Sequence, residues 1–264
     1  MPYTAQALTE TLLSMHDERQ RQMLCRFFKT GAGEYGYGDR FIGLKCPQTR
    51  MVVKEARLKV SLPEIHHLLL SPWHEARLCG LLLLVEEMQA ALPTCRRQNT
   101  PEMAARREEI ATFYLQHAHR ANNWDLVDMS CPKILGHWLL HPLPDGRMPH
   151  RSVLDGLALS PCLWEQRIAI VTNWMLIRHD EYADTLRIAD LLLHHPHDLI
   201  HKAVGWMLRE VGKRRLDILE DYLERHSHEM HRTTLRYAIE KMSAQQRQWW
   251  MAKDRKSLGN IAVR

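Results

Sequence analysis

The sequence has no CxxC pair, no apolar run long enough to cross a bilayer, no low-complexity linker and almost no strand-like alternation of apolar and polar residues. Each absence narrows the field. The cysteines, at 25, 46, 79, 95, 131 and 162, are scattered without disulfide-like spacing, which points to buried free thiols in a reducing compartment. The most apolar stretch, LCGLLLLV at 78–85, is far shorter than the ~20 residues that a membrane-spanning helix needs. The opening MPYTAQALTETLL lacks the basic start and long apolar run of a secretory signal. A cytoplasmic protein with no membrane association is therefore expected.

What is present suits a globular chain. Of 264 residues, 45% are apolar and 25% charged, enough for a sizeable core in one large domain or two small ones. With no linker to divide it, a single domain over 1–264 is expected. The formal charge is +5, and it is unevenly spread. Residues 196–264 hold 14 Lys and Arg against 9 Asp and Glu, whereas 1–195 are balanced at 22 of each. A basic C-terminal quarter suits a polyanionic partner, though neutral scaffolds also carry surpluses of this size.

The dominant hydrophobic period is 3.6. It predicts an all-α chain with helices over 4–29, 48–60, 63–70, 73–91, 101–120, 124–130, 132–140, 151–158, 161–177, 180–194, 198–212, 214–226, 230–241 and 243–253. Most prolines fall at the proposed starts and joints, where a missing N–H is tolerated. Short connections between amphipathic helices favour antiparallel pairs stacked as an α-solenoid over a compact bundle. No strict repeat is visible, so any repetition is structural.

The segment DLIHKAVGWMLREVGK, 198–213, poses a question. Ile200, Ala203, Val204, Met207, Leu208 and Val211 gather into one arc, the natural core face. Lys202, Trp206, Arg209 and Lys213 fall together on the other side, so an indole sits among cations away from the core. In RANNWDLVDMSCPKILG, 120–136, Asn122 or Asn123 is a good N-cap, and Trp124 and Asp128 lie one turn apart on one face. A buried Trp beside a solvated Asp is the plain alternative. In LWEQRIAIVTNWMLIR, 163–178, Arg167 and Arg178 interrupt an apolar helix and share a face with Trp174. Such an arginine is either tied to a buried carboxylate or aimed at an external anion.

NNWDLVD, WEQRIAIV and HKAVGWMLREVGK, in this order and spacing, resemble the DNA alkylation repair family, the AlkD-like HEAT-repeat DNA glycosylases. CRFFK…FIGLKCPQTR (25–50) and RTTLRYAIEK (232–241) add to the likeness, which covers nearly the whole chain. The resemblance implies a solenoid of HEAT-like helix pairs with a concave basic face that grips double-stranded DNA as a monomer. It also implies excision of cationic alkylated bases, N3- and N7-alkylpurines, without base flipping and without a cofactor. Carried over by residue, Asp128 matches the catalytic aspartate, Trp124 and Trp206 the two cleft tryptophans, and Arg167 the arginine on the DNA backbone. Lys202, Arg209 and Lys213, around Trp206, would bind flanking phosphates. Where the family often has an aromatic hydroxyl in its first helix, this chain has Phe27, which removes one expected DNA contact. Two further readings remain: a non-enzymatic DNA-binding member of the superfamily, acting on branched or structured DNA, and a protein-interaction scaffold.

Three other stretches are less telling. TGAGEYGYGDRFIG, 30–43, has no GK[ST] ending and follows a helix, so it reads as a turn-rich connector before a phosphate cradle. It could also carry Tyr35, Tyr37 and Arg40 to a partner. His197 and His201 have the helical spacing of a zinc pair, with His194 nearby, but no third ligand is evident and HEMH at 228–231 lacks HExxH spacing; no metal site is expected. Trp249 and Trp250 read as an apolar cap on the last helix, or as an exposed pair able to touch DNA.

Overall fold

The computed structural model describes residues 3–259. Among the described residues the chain is all helical, with isolated bridges at Arg40–Trp73 and Thr94–Arg97 but no strand. No helix among them is long and apolar enough to cross a membrane. Two compact units divide the chain, Met1–Pro149 and His150–Arg264. The first contains α1 (Ala5–Leu13), α2 (Glu18–Phe27), α3 (Cys46–Ala56), α4 (Leu62–Leu70), α5 (His74–Ala90), α6 (Pro101–Gln116), α7 (Trp124–Cys131) and α8 (His137–Leu139). The second contains α9 (Ser152–Ala158), α10 (Leu163–Val171), α11 (Asn173–Arg178), α12 (Ala183–Leu191), α13 (Asp198–Arg214), α14 (Leu216–His226), α15 (Arg232–Ala238) and α16 (Ala244–Gly259).

Each unit is built around one helix. The LCGLLLLV run lies in α5, buried from His74 through Val85. A helix apolar on every side has to be enclosed, and α3, α4, α6 and α7 all pack on it. In the second unit α13 meets α10, α14 and α15. Its buried residues include Ile200, Ala203, Val204, Met207, Leu208 and Val211, the arc that periodicity predicts. Gly205 lets α15 approach closely: a Cβ there would lie 2.5 Å from the Thr234 carbonyl oxygen and from Tyr237 Cβ.

Three predicted helices differ in detail. The segment 4–29 is broken before α2, because Asp17 caps α2 through the Gln20 N–H at 2.9 Å and His16 Nδ1 bonds the Ile42 carbonyl at 2.6 Å. The segment 161–177 is interrupted after Val171, where Asn173 Nδ2 donates to the Ala169 carbonyl at 2.8 Å. This side-chain competition for helical carbonyls favours a bend. Conversely, Pro132 does not start a new helix. A π-helical turn over Pro132–Gly136 joins α7 to α8, a wide turn that tolerates the missing proline N–H.

The Gly-rich segment is a run of turns whose far end is fixed. Backbone N–H groups of Ile42, Gly43 and Leu44 donate to the Glu75 carboxylate at 2.8, 2.9 and 3.1 Å. Glu75 is buried in the first turn of α5, where the helix dipole also favours its charge. Tyr37 and Arg40 are exposed, and Tyr35 is half-buried. Gly43 has φ +100°, and a Cβ there would meet the Asp17 carbonyl oxygen at 2.1 Å. Gly43→Ala is therefore expected to destabilise the fold by about 2 kcal/mol or more in urea unfolding; an unchanged midpoint would show that the segment relaxes without cost.

Candidate functional site

α7 is anchored at its first turn. Asn123 is its N-cap, accepting the Trp124 N–H at 2.9 Å, and is fully buried. The Asn123 amide also donates to Asp39 Oδ2 at 3.3 Å. Two residues on, Asp125 Oδ2 accepts from His74 Nε2 at 2.9 Å, while His74 Nδ1 donates to Asp39 Oδ2 at 2.8 Å. Arg77 completes the group through Asp39 Oδ1. Burial alone would push the His74 imidazole down, but the Asp125 and Asp39 carboxylates on its two nitrogens outweigh it and raise the pKa from 6.5 to about 9. Burial likewise works to raise Asp39, and His74 with Arg77 reverses it, holding that carboxyl below its ordinary value. His74 is thus a buried imidazolium clamped between two carboxylates.

An aromatic column connects this clamp to Trp124. His74 stacks on Phe41 at 4.4 Å, Phe41 on Phe28 at 5.0 Å, and Phe28 on Trp124 at 5.3 Å between ring centroids. Phe27 adds its edge to the indole at 5.9 Å and is 64% exposed. Trp124 and Asp128, one turn apart on α7, are both half-buried. The lack of a hydroxyl at Phe27 does not leave a gap, because its ring lies against Trp124.

In the second unit Trp206 is half-buried, and its Nε1–H donates to Glu210 Oε1 at 3.2 Å. The cations around it are interleaved with acids. Lys202 pairs with Asp198 at 2.7 Å and Lys213 with Glu210 at 2.7 Å; Arg209 pairs with Glu240 and lies 3.6 Å from Glu210. Sequence reasoning identified the stripe but missed Glu210, although it stands one turn from Trp206. Arg167 is only 5% exposed, and its guanidinium donates to the Leu199 carbonyl at 2.7 Å, joining α10 to the first turn of α13. Arg178 lies over the Trp174 ring at 4.8 Å.

The histidines have structural tasks. His197 caps α13 through the Leu199 N–H at 3.1 Å, and His201 is buried, stacked on His231 at 3.9 Å. No group of three potential ligands among the described residues could hold a metal ion. The two C-terminal indoles divide the two readings given above. Trp250 is buried as an apolar cap, whereas Trp249 is 52% exposed. Glu220, Asp221 and Glu224 share a groove with both rings, an unfavourable neighbourhood for phosphate.

The model of the DNA alkylation repair enzyme family matches residues 8–242. The chain belongs to that family. Among solved structures, a predicted DNA alkylation repair enzyme from Enterococcus faecalis shares the fold at a TM-score of 0.61 and 17% identity, over 87% of this chain and 97% of the other. No curated protein matches the sequence. Membership of the DNA alkylation repair enzymes supports a role in alkylation repair and, with it, DNA binding. Around the WxxxD helix of this family member, the residues that sequence reasoning missed are Asp39, His74, Arg77 and Phe28. They are contributed by three separate stretches of chain, and nothing in local periodicity links them.

Proposed function

We propose that this member of the family is a DNA N-glycosylase that releases cationic alkylated bases, N3- and N7-alkylpurines, from duplex DNA without flipping them out. The observation that carries the reading is the half-buried pair on one face of α7, the Trp124 indole beside the Asp128 carboxylate. An alkylpurine is already positive, so it departs as a neutral base and needs little proton donation. Positive charge then moves to the deoxyribose, and a carboxylate with electron-rich rings nearby stabilises it. In this reading Asp128 supplies the negative charge and can orient the attacking water, while Trp124 and Trp206 supply the rings. Lys202, Arg209 and Lys213 take flanking phosphates, exchanging carboxylate partners for phosphate oxygens. Arg167, buried against the Leu199 carbonyl, holds the start of α13, so any help it gives the DNA-binding face is by positioning that helix and not by direct contact. We read the helices within each unit as HEAT-like repeats, and the two units as one repair domain acting as a monomer without a cofactor.

The direct test is chromatographic detection of free base from duplex DNA carrying N7-methylguanine or N3-methyladenine, with no metal added. Trp206→Ala is expected to slow release roughly 30-fold, the size of a desolvated cation–π contact of about 2 kcal/mol, with undamaged-duplex affinity nearly unchanged. Duplex binding with no release from either substrate would instead mark a non-enzymatic DNA-binding protein. Failure to bind duplex at low salt would leave the scaffold reading.

A further inference from the structure

Sharing Arg209 and Lys213 with the Trp206 stripe, the last turns of α13, the first turn of α14, the end of α15 and the opening of α16 enclose a pocket of about 270 Å³. Its lining mixes two chemistries: the cations Arg209, Lys213 and Lys241, and the aliphatic side chains of Leu216, Leu219 and Met242. Leu219 and Met242 are buried, whereas Leu216 is 41% exposed, a large aliphatic group left open at the mouth. The cations are only partly neutralised. Glu210 and Glu240 are the carboxylates paired with the three of them. The buried Arg209 Nε has no hydrogen-bond acceptor.

We propose that this pocket binds a single nucleotide unit, its phosphate held by Arg209, Lys213 and Lys241 and its base packed on Leu216, Leu219 and Met242. A bare anion would gain nothing from the aliphatic side chains, and an uncharged apolar molecule would gain nothing from the cations. A ligand that uses both kinds of lining residue is an anion carrying an apolar body. The volume lies just below the roughly 300–1,000 Å³ of typical small-molecule sites, so it suits one nucleotide and excludes a base pair. Arg209 and Lys213 belong to both the pocket and the Trp206 stripe, so a strand tracked by the stripe would lead into the pocket. The choice of nucleotide over other anions rests on the DNA-repair reading; the binding chemistry does not.

Calorimetric titration of the full chain tests it with four probes: dAMP, deoxyadenosine, inorganic phosphate and the single-stranded trinucleotide d(AAA). dAMP or d(AAA) is expected to saturate at about 1 mM or below, with deoxyadenosine and phosphate at least tenfold weaker. Trinucleotide affinity tenfold above that of dAMP assigns the site to a DNA strand; equal affinities assign it to free nucleotide. Leu216→Glu and Lys241→Glu should each weaken binding tenfold or more while melting as the wild type does. Both residues are exposed, and an acid in the first turn of α14 suits the helix dipole. No saturation by either nucleotide probe, or unchanged affinity in both variants, overturns the proposal. Methylated-purine release by the wild type is measured alongside: its absence defeats the glycosylase reading and leaves the titrations to decide the pocket.

Discussion

Asp128→Asn is expected to lower release of N7-methylguanine from duplex DNA by roughly 100-fold or more, with undamaged-duplex affinity within about threefold of wild type. The substitution keeps the size and planar shape of the side chain and removes its charge. Asn123 caps α7 and His74 holds Asp125, contacts the substitution leaves in place, and melting temperature reports any structural part played by the Asp128 charge. A change in rate without a change in melting temperature would therefore report the electrostatic contribution to the transition state. Departure of a neutral base from a cationic nucleotide needs a nearby negative charge more than it needs a proton, so release rates for the variant should stay low at every pH. Wild-type rates in Asp128→Asn, measured by single-turnover base release, would remove the carboxylate from the mechanism.

His74→Gln should produce the largest loss of stability, about 3 kcal/mol, because it leaves two buried or partly buried carboxylates without their shared cation. The loss should vary with pH in a defined direction. The folded His74 pKa of about 9 lies above the ordinary 6.5. Its contribution is therefore complete below about 6.5 and disappears as pH rises through 9. Asp39 shifts the other way, down from 3.8, so its contribution is present above that value and lost as pH falls through the folded pKa. Urea unfolding should thus show the widest gap between wild type and His74→Gln from about pH 4.5 to 6.5, narrowing as pH rises from 6.5 to 9 and small above it. A gap that stays constant from pH 6 to 10 would show His74 neutral and packed only for shape. The aromatic column makes a second readout available: loss of His74 should also alter the fluorescence of Trp124, two rings beyond Phe41.

Much of this architecture is visible in the sequence because it is local. The apolar arc of α13 follows from spacing alone, and the pair Asn122–Asn123 marks the start of α7, with Asn123 the one that caps it. The enclosure of α5 follows from a helical segment with no polar stripe. The His74 clamp is different in kind. Its hydrogen bonds span 35 residues to Asp39 and 51 to Asp125, and no periodicity relates such distant positions. Glu75 escaped for the same reason: a buried acid that caps a loop looks, in one dimension, like an ordinary helix-starting glutamate. Glu210 was readable, one turn from Trp206, but the search for cations hid the acid among them. Pro132 misled because a proline usually marks a helix start, and a π-helical turn is the uncommon way to accommodate it within a continuing helix.

Glu210 and Glu240 change what it means for the second unit to meet a polyanion. Their carboxylates act as built-in counterions that hold Arg209 and Lys213 in defined rotamers before any strand arrives. Most of the entropy of fixing those long side chains is then lost during folding, not during association. On the proposed DNA-binding reading, an incoming phosphate would meet a preset array and have only to displace a tethered acid, a design that would favour speed of exchange over strength of grip.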